Sequence, residues 1–279
     1  MNTPPSHTNG HHVRSDAPFI TVMCLLAGLY IVLIVAMLLA DATYTTIPHM
    51  VEALTSPEIL YSIKLSIVTC SLSAILSIWV AVPIGYLMSR HSFPGKRLLD
   101  SVLDIPIVLP PLVIGLSLLI LFQNPLVRVL EDQFAVWTGS RVVHAIPAVV
   151  LAQFTVACAF AVRTMRATFD DISPRQEQVA LTLGSTRSQA FWMVVLPQAY
   201  RGVVVAGTLA WCRSMGEFGP ILVFAGSTRM KTEVLPTTVF LEMSIGNIPA
   251  AVAVSLVMVL LSLALLIVVR LCGRDTLVR

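Results

Sequence analysis

The sequence predicts an all-α, polytopic membrane protein with six transmembrane helices. Three observations predict it. Hydrophobic residues are 56% of the chain and charged residues 12%, with a mean hydropathy of +0.85, which leaves too little polar surface to solvate a compact water-soluble domain. Segments 17–40, 65–89, 105–127, 142–162 and 243–269 carry no Lys, Arg, Asp or Glu, and each is near the about 20 apolar residues that a bilayer core requires. The apolar runs are continuous rather than ten-residue alternations, which excludes a membrane β-barrel.

Taken in order, the spans are expected at about 19–40, 62–88, 103–123, 142–162, 203–224 and 248–270, between a tail at 1–18 and a tail at 271–279. The first run ends at Ala40-Asp41-Ala42, which resembles a signal-peptidase site. The run is longer than a signal core and only Arg14 precedes it as a fixed positive charge, so an uncleaved span is expected. His7, His11 and His12 fall in the Pro/Ser/Asn-rich tail and read as part of a mobile segment. In the third span Pro106, Pro110 and Pro111 cannot all sit in an unbroken helix, because each removes an amide donor and clashes with the preceding turn. A kink or an unwound start follows, with Asp104 capping or compensating the helix dipole. The fifth span is the least apolar, since it contains Arg213 and Glu217. It is required by charge parity.

Lys and Arg distribute unevenly between alternate loops. One side holds Arg14, Arg90, Lys96, Arg97, Arg163, Arg166, Arg175, Arg187, Arg201, Arg270, Arg274 and Arg279; the other holds Lys64, Arg128, Arg141, Arg229 and Lys231. The positive-inside rule therefore places both termini in the cytoplasm. Without the fifth span the basic C-terminus would lie outside. The outer segments 41–63, 123–141 and 225–247 are short, so chemistry in water must come from partners. Cys24, Cys70, Cys158, Cys212 and Cys272 have no short-spaced pairs and read as small apolar side chains. His49, His91 and His144 have no metal-ligand spacing, and nothing in the charge pattern suggests nucleic acid.

The cytoplasmic segment 163–201 is much longer than the usual 2–8 residues between packed helices. Ser173-Pro174 opens one helical stretch and Gly184 ends it; Ser185 can cap a second, and Pro197 is expected to stop that one. The second stretch has Ala190, Phe191, Met193, Val194 and Leu196 beside Arg187 and Gln189, an amphipathic pattern suited to lying against the membrane face of the bundle.

Within this segment Gln178-Val179-Ala180, three residues, Gly184, nine residues, then Val194-Val195-Leu196-Pro197 resembles the EAA loop of permease subunits of binding-protein-dependent ATP-binding-cassette importers. The spacing from Gly184 to Leu196-Pro197 matches in full. The start departs: Gln178 stands where the family usually has Glu, Glu177 comes one place earlier, and Val179 replaces the first Ala. Ser92-Phe93-Pro94-Gly95-Lys96, Asp104-Ile105-Pro106, Leu109-Pro110-Pro111, Gly216-Glu217-Phe218-Gly219 and Lys231-Thr232-Glu233-Val234-Leu235-Pro236 extend the resemblance from about residue 60 onward, toward the molybdate, tungstate and sulfate branch.

The resemblance implies an EAA-type coupling loop in which Glu177, Gln178, Val179, Ala180, Leu181, Gly184, Leu196 and Pro197 engage a soluble ATPase by helix-in-groove recognition. It implies a homodimer in the plasma membrane of a prokaryote, two ATPase subunits carrying ATP and Mg, and an extracytoplasmic oxyanion-binding protein. This chain itself has no G-x-x-x-x-G-K loop, so neither enzyme activity nor a bound cofactor is expected of it. Fifth-span residues line the pore in such permeases, which makes Arg213, Ser214, Gly216, Glu217, Phe218 and Gly219 candidates for the translocation path. Intramembrane charges favour a functional role, yet Arg213 and Glu217 are also four apart and can form a local structural pair. Two other readings stay open: a carrier driven by an ion gradient, which predicts inverted repeats and midplane acids, and a non-transporting scaffold whose long loop docks a soluble protein.

Overall fold

The computed structural model describes residues 17–44 and 47–274. Arg14, the three tail histidines and the last residues of the C-terminal tail lie outside that range. The described residues are mostly helical and form no strand. The chain divides into two units at residue 45. The first contributes α1 (Ala17–Tyr44), one continuous apolar helix that runs through Ala40-Asp41-Ala42.

The second unit opens with α2 (Ile47–Thr55). Ser56 then caps α3 (Pro57–Arg90), its hydroxyl accepting from the Ile59 amide at 3.4 Å, and Pro57 occupies the first turn, where no amide is needed. At 1.5 Å per residue α3 is about 51 Å long, well beyond a hydrocarbon core of about 30 Å. The expected third span is not one helix. It is α4 (Lys96–Val108) and α5 (Pro111–Gln123), bent by 111° at Leu109-Pro110. Pro110 holds an extended conformation ahead of Pro111, as steric clash with the following ring demands, while Pro106 is accommodated inside α4. Asp104 lies within α4 rather than at its start, so it does not cap. It receives both Arg163 guanidinium contacts at 2.9 Å.

The segments expected as outer loops contain α2, α6 (Pro125–Thr138) and, later, α12 (Leu235–Ser244). After α7 (Ile146–Asp171) comes α8 (Pro174–Thr182), then α9 (Arg187–Ala190), a π-turn at Phe191–Val195, α10 (Leu196–Met215), α11 (Gly219–Phe224) and α13 (Ile248–Arg274). Pro197 does not stop the second stretch. The wide turn carries the Leu196 amide back to the Phe191 carbonyl, and this insertion absorbs the proline's missing donor and ring. Residues 187–215 thus run as one helix.

Among the described residues, five helices are long and apolar enough to cross a membrane, and six if the bent α4–α5 pair counts as one span. The core of the second unit is the packing of α3, α7 and α10 through Ala74, Ala81, Ala157, Ala161, Ala199, Ala206 and Ala210. Small side chains let helix backbones approach, which is how helices associate where lipid removes the hydrophobic driving force. Ser62, Ser66, Thr69, Ser73 and Ser77 of α3 are buried inward while Ile75 and Trp79 are exposed, the reverse of a soluble helix. Among the cysteines whose side chains are described, Cys70 is fully buried, Cys158 and Cys212 are half-buried and Cys24 is exposed.

Candidate functional site

The loop between α7 and α10 is built by local rules. The Ser173 hydroxyl caps α8, accepting from the Arg175 amide at 3.4 Å. At the other end Gly184 has φ +91°, a left-handed conformation that a side chain resists, and the Ser185 amide reaches back to the Ala180 carbonyl at 3.1 Å, closing the helix with a Schellman-type bond. The next cap is Thr186 and not Ser185. Its hydroxyl accepts from the Gln189 amide while the Gln189 side chain accepts from the Thr186 amide, a full capping box.

The two sides of α8 have different environments. Glu177 points inward: the Tyr86 hydroxyl donates to it at 2.5 Å, Arg90 lies 3.5 Å away, and Arg90 also donates to the Ile172 carbonyl at 2.7 Å. Phe169 and Phe191 pack edge-on to the Tyr86 ring. Gln178 and Thr182 point outward, together with Val179, 57% exposed, and Leu183, 82% exposed. Ala180, Leu181 and Leu196 are half-buried, and Gly184 and Pro197 are exposed. The structure therefore separates Glu177 from the outward set with which the sequence grouped it. Its partners are Tyr86 and Arg90, one turn apart on α3, which no motif in the sequence marks as site residues.

The second candidate region lies where α10 stops. Gly216, Glu217 and Phe218 break the helix, so the expected span 203–224 is α10 up to Met215 and then the short α11, with Pro220 in its first turn. Arg213 and Glu217 pair at 2.7 Å; Glu217 is 1% exposed, and the half-exposed Arg213 also covers the Phe160 ring at 5.6 Å. Ser214 is buried, its hydroxyl donating to Ser73 at 3.2 Å, and the Gln153 amide donates to the Ser214 carbonyl at 3.3 Å. Gly219 is buried; Gly216 is exposed and Phe218 half-buried beside Phe240. Thus Arg213, Gly216 and Phe218 reach a surface of the chain, while Ser214, Glu217 and Gly219 hold the break together. Gln153 is a polar residue inside an apolar run, and that was the available signal for it.

The Lys231–Pro236 stretch turns back over α3. The Leu235 amide donates to Ser66 at 2.8 Å. Glu233 is 1% exposed and neither carboxylate oxygen has a hydrogen-bond partner; the nearby Thr238 hydroxyl donates instead to the Val234 carbonyl. Burial pushes the Glu233 carboxyl above its ordinary value, and the nearby Thr238 hydroxyl and then Arg229 only partly offset this. Arg229 itself donates to Glu242 at 2.8 Å, as does Asn247.

This architecture has known counterparts. The crystal structure of a bacterial alginate ABC transporter in complex with an alginate pentasaccharide-bound periplasmic protein contains a chain that superposes with a TM-score of 0.72, covering 94% of this chain and 96% of that one at 16% identity, which establishes the fold. In sequence, the sulfate transport system permease protein CysT of Salmonella typhimurium is 31% identical over 215 residues, 77% of this chain and 76% of the relative. The molybdenum transport system permease protein ModB of Mycobacterium tuberculosis is 32% identical over 251 residues, 90% of this chain and 93% of the relative. The family described as the binding-protein-dependent transport system inner membrane component matches residues 81–277, spanning the α8 loop and the α10–α11 break alike. This chain belongs to that family and is a multi-pass inner-membrane permease component.

Proposed function

We propose that this chain is the membrane-spanning subunit of an ATP-driven importer that passes an oxyanion inward, molybdate or tungstate first and sulfate next. An extracytoplasmic binding protein delivers the anion, a second copy of the chain completes the path, and two ATPase subunits, holding ATP and Mg, drive the cycle. The α8 end of the bundle faces the cytoplasm together with both termini, in keeping with the Lys and Arg distribution.

The observation that carries this reading is the outward face of α8. Val179 and Leu183 are exposed apolar residues one turn apart, on a helix clamped from beneath by Glu177, Tyr86 and Arg90. An apolar ridge on a braced helix is suited to a groove in a soluble partner. Each such side chain contributes about 1.5–3 kcal/mol when buried. Closure of the ATPase pair on ATP would pull two such helices together and turn α10, continuous with the loop, toward its outward-open state.

The path should hold the anion weakly, since an importer must release it. Arg213 is the cation at the α10 break, and Glu217 at 2.7 Å neutralises much of its charge. Similarity to the sulfate and molybdenum permeases supports the oxyanion class.

The test is uptake into vesicles holding ATP, with loaded binding proteins outside. Val179→Asp with Leu183→Asp is expected to abolish ATPase co-purification and uptake while leaving the melting midpoint unchanged. Uptake that persists without ATP, or that survives this double substitution, would sink the reading.

A further inference from the structure

The corner between α3 and α4 contains a cavity of about 470 Å³ that neither the loop nor the path uses. Lys96, Arg97 and Arg166 line it together with Ser92, Phe93 and Asp100. Arg166 is already neutralised, since it is bonded to Asp100 and lies 3.8 Å from Asp170. Lys96 and Arg97 have no side-chain partner among the described residues, and Gly95 offers α4 no capping side chain. The cavity therefore presents two uncompensated cations and a hydroxyl.

The helix beside it is amphipathic in the opposite sense to a water-soluble surface helix. Asp100 and Asp104 face α7, where Arg166 and Arg163 receive them. The outward face carries Leu98, 71% exposed, Val102, Ile105 and Val108, 81% exposed. These four positions follow helical spacing and share one side. No residue of α4 is fully buried. A helix with its charges turned inward and its apolar side chains turned outward is surrounded by hydrocarbon, with its basic start at the polar boundary. The 111° bend to α5 sets α4 close to the plane of the membrane if α5 runs across it.

From this juxtaposition we infer that the α3–α4 corner is a binding site for the phosphate headgroup of an anionic phospholipid, whose acyl chains lie along Leu98, Val102 and Ile105. Phosphate oxygens accept from Lys96, Arg97 and Ser92, and the cavity is ample for a glycerophosphate group. A zwitterionic lipid would bring its own cation to the same place and lose the charge advantage.

The experiment uses the full-length chain in nanodiscs of phosphatidylcholine and phosphatidylglycerol, with lipids retained on release counted by native mass spectrometry. Phosphatidylglycerol is expected to be retained in preference to phosphatidylcholine. Lys96→Ala with Arg97→Ala should weaken that retention roughly thirtyfold, from two cationic contacts. Lys96→Arg with Arg97→Lys should preserve it, and Arg128→Ala, at an exposed cation elsewhere, should leave it unchanged. If the alanine pair does not fold, Lys96→Gln with Arg97→Gln decides the matter by the same readout. Equal retention of the two lipids, or no loss in the neutralised variants, overturns the inference. So does displacement of phosphatidylglycerol by millimolar inorganic phosphate, which would make the cavity a free-anion site.

Discussion

Glu177 and Gln178 are neighbours in sequence but stand about 100° apart around α8, so one meets Tyr86 and Arg90 while the other meets solvent. The Glu177 carboxylate is thereby a positioning group for the loop, and its charge is committed before any partner arrives. Tyr86→Phe removes the only hydroxyl donor to Glu177 in that cluster and should cost about 1–3 kcal/mol. For a chain of this size that lowers the melting midpoint by about 2–4 °C per kcal/mol, measurable by thermal shift in detergent. Glu233 behaves differently because it is buried and its oxygens accept no well-formed hydrogen bond. Its folded-state pKa is raised above the ordinary 4.5, so the protonated form suits the fold, and its contribution to stability is full below 4.5 and lost as pH rises through the raised value. Glu233→Gln is expected to flatten the fall in melting temperature with rising pH and to raise the midpoint at neutral pH. A wild-type slope retained by the variant would refute this. Glu233 stands in a stretch recognisable from the sequence, yet its burial depends on the packing of α12 against α3.

At the scale of elements, prolines and glycines decide where helices break. Pro111 and Pro220 each sit in the first turn of a short helix, α5 and α11, and the two helices pack against each other at close range. A Cβ added at Gly115 would stand 2.8 Å from the Pro220 Cα, so Gly115→Val forces backbone apart and should cost about 1–3 kcal/mol. The expected result is a lower melting midpoint and a loss of monodisperse protein on gel filtration; an unchanged elution profile and midpoint would contradict the packing. The break near Pro110 was legible from three prolines in one span. Its size, and its location after rather than at Pro106, were not, because an α-helix can tolerate a proline wherever the preceding turn has room. Pro197 makes the same point in the other direction: read alone it ends a helix, but five residues of π-turn carry the chain past it into α10. Hydrogen-bond register three to five residues upstream is not encoded at the proline itself.

Over the whole molecule, the uneven distribution of Lys and Arg between alternate loops predicts which face is cytoplasmic. Single cysteines at Val179 and at Lys231, in a chain freed of its own cysteines, are expected to react with an impermeant maleimide from opposite faces: Lys231→Cys in right-side-out vesicles and Val179→Cys in inverted ones. Labelling of both from one face would overturn the orientation. By itself the sequence determined that the chain is helical, that lipid is its solvent, and which loop resembles a partner's docking element, because each of these follows from composition along the chain or from spacing within about twenty residues. Only the tertiary structure decided which face of α8 is free, that Arg213 is already paired to Glu217, that Asp100 and Asp104 spend their charge on α7, and that Lys96 and Arg97 line the α3–α4 corner. Those outcomes depend on residues such as Tyr86, Gln153 and Arg166, distant in sequence and brought near by the packing of α3 on α7 and α10; a side chain's role is set by its neighbours, and its neighbours are set by the fold.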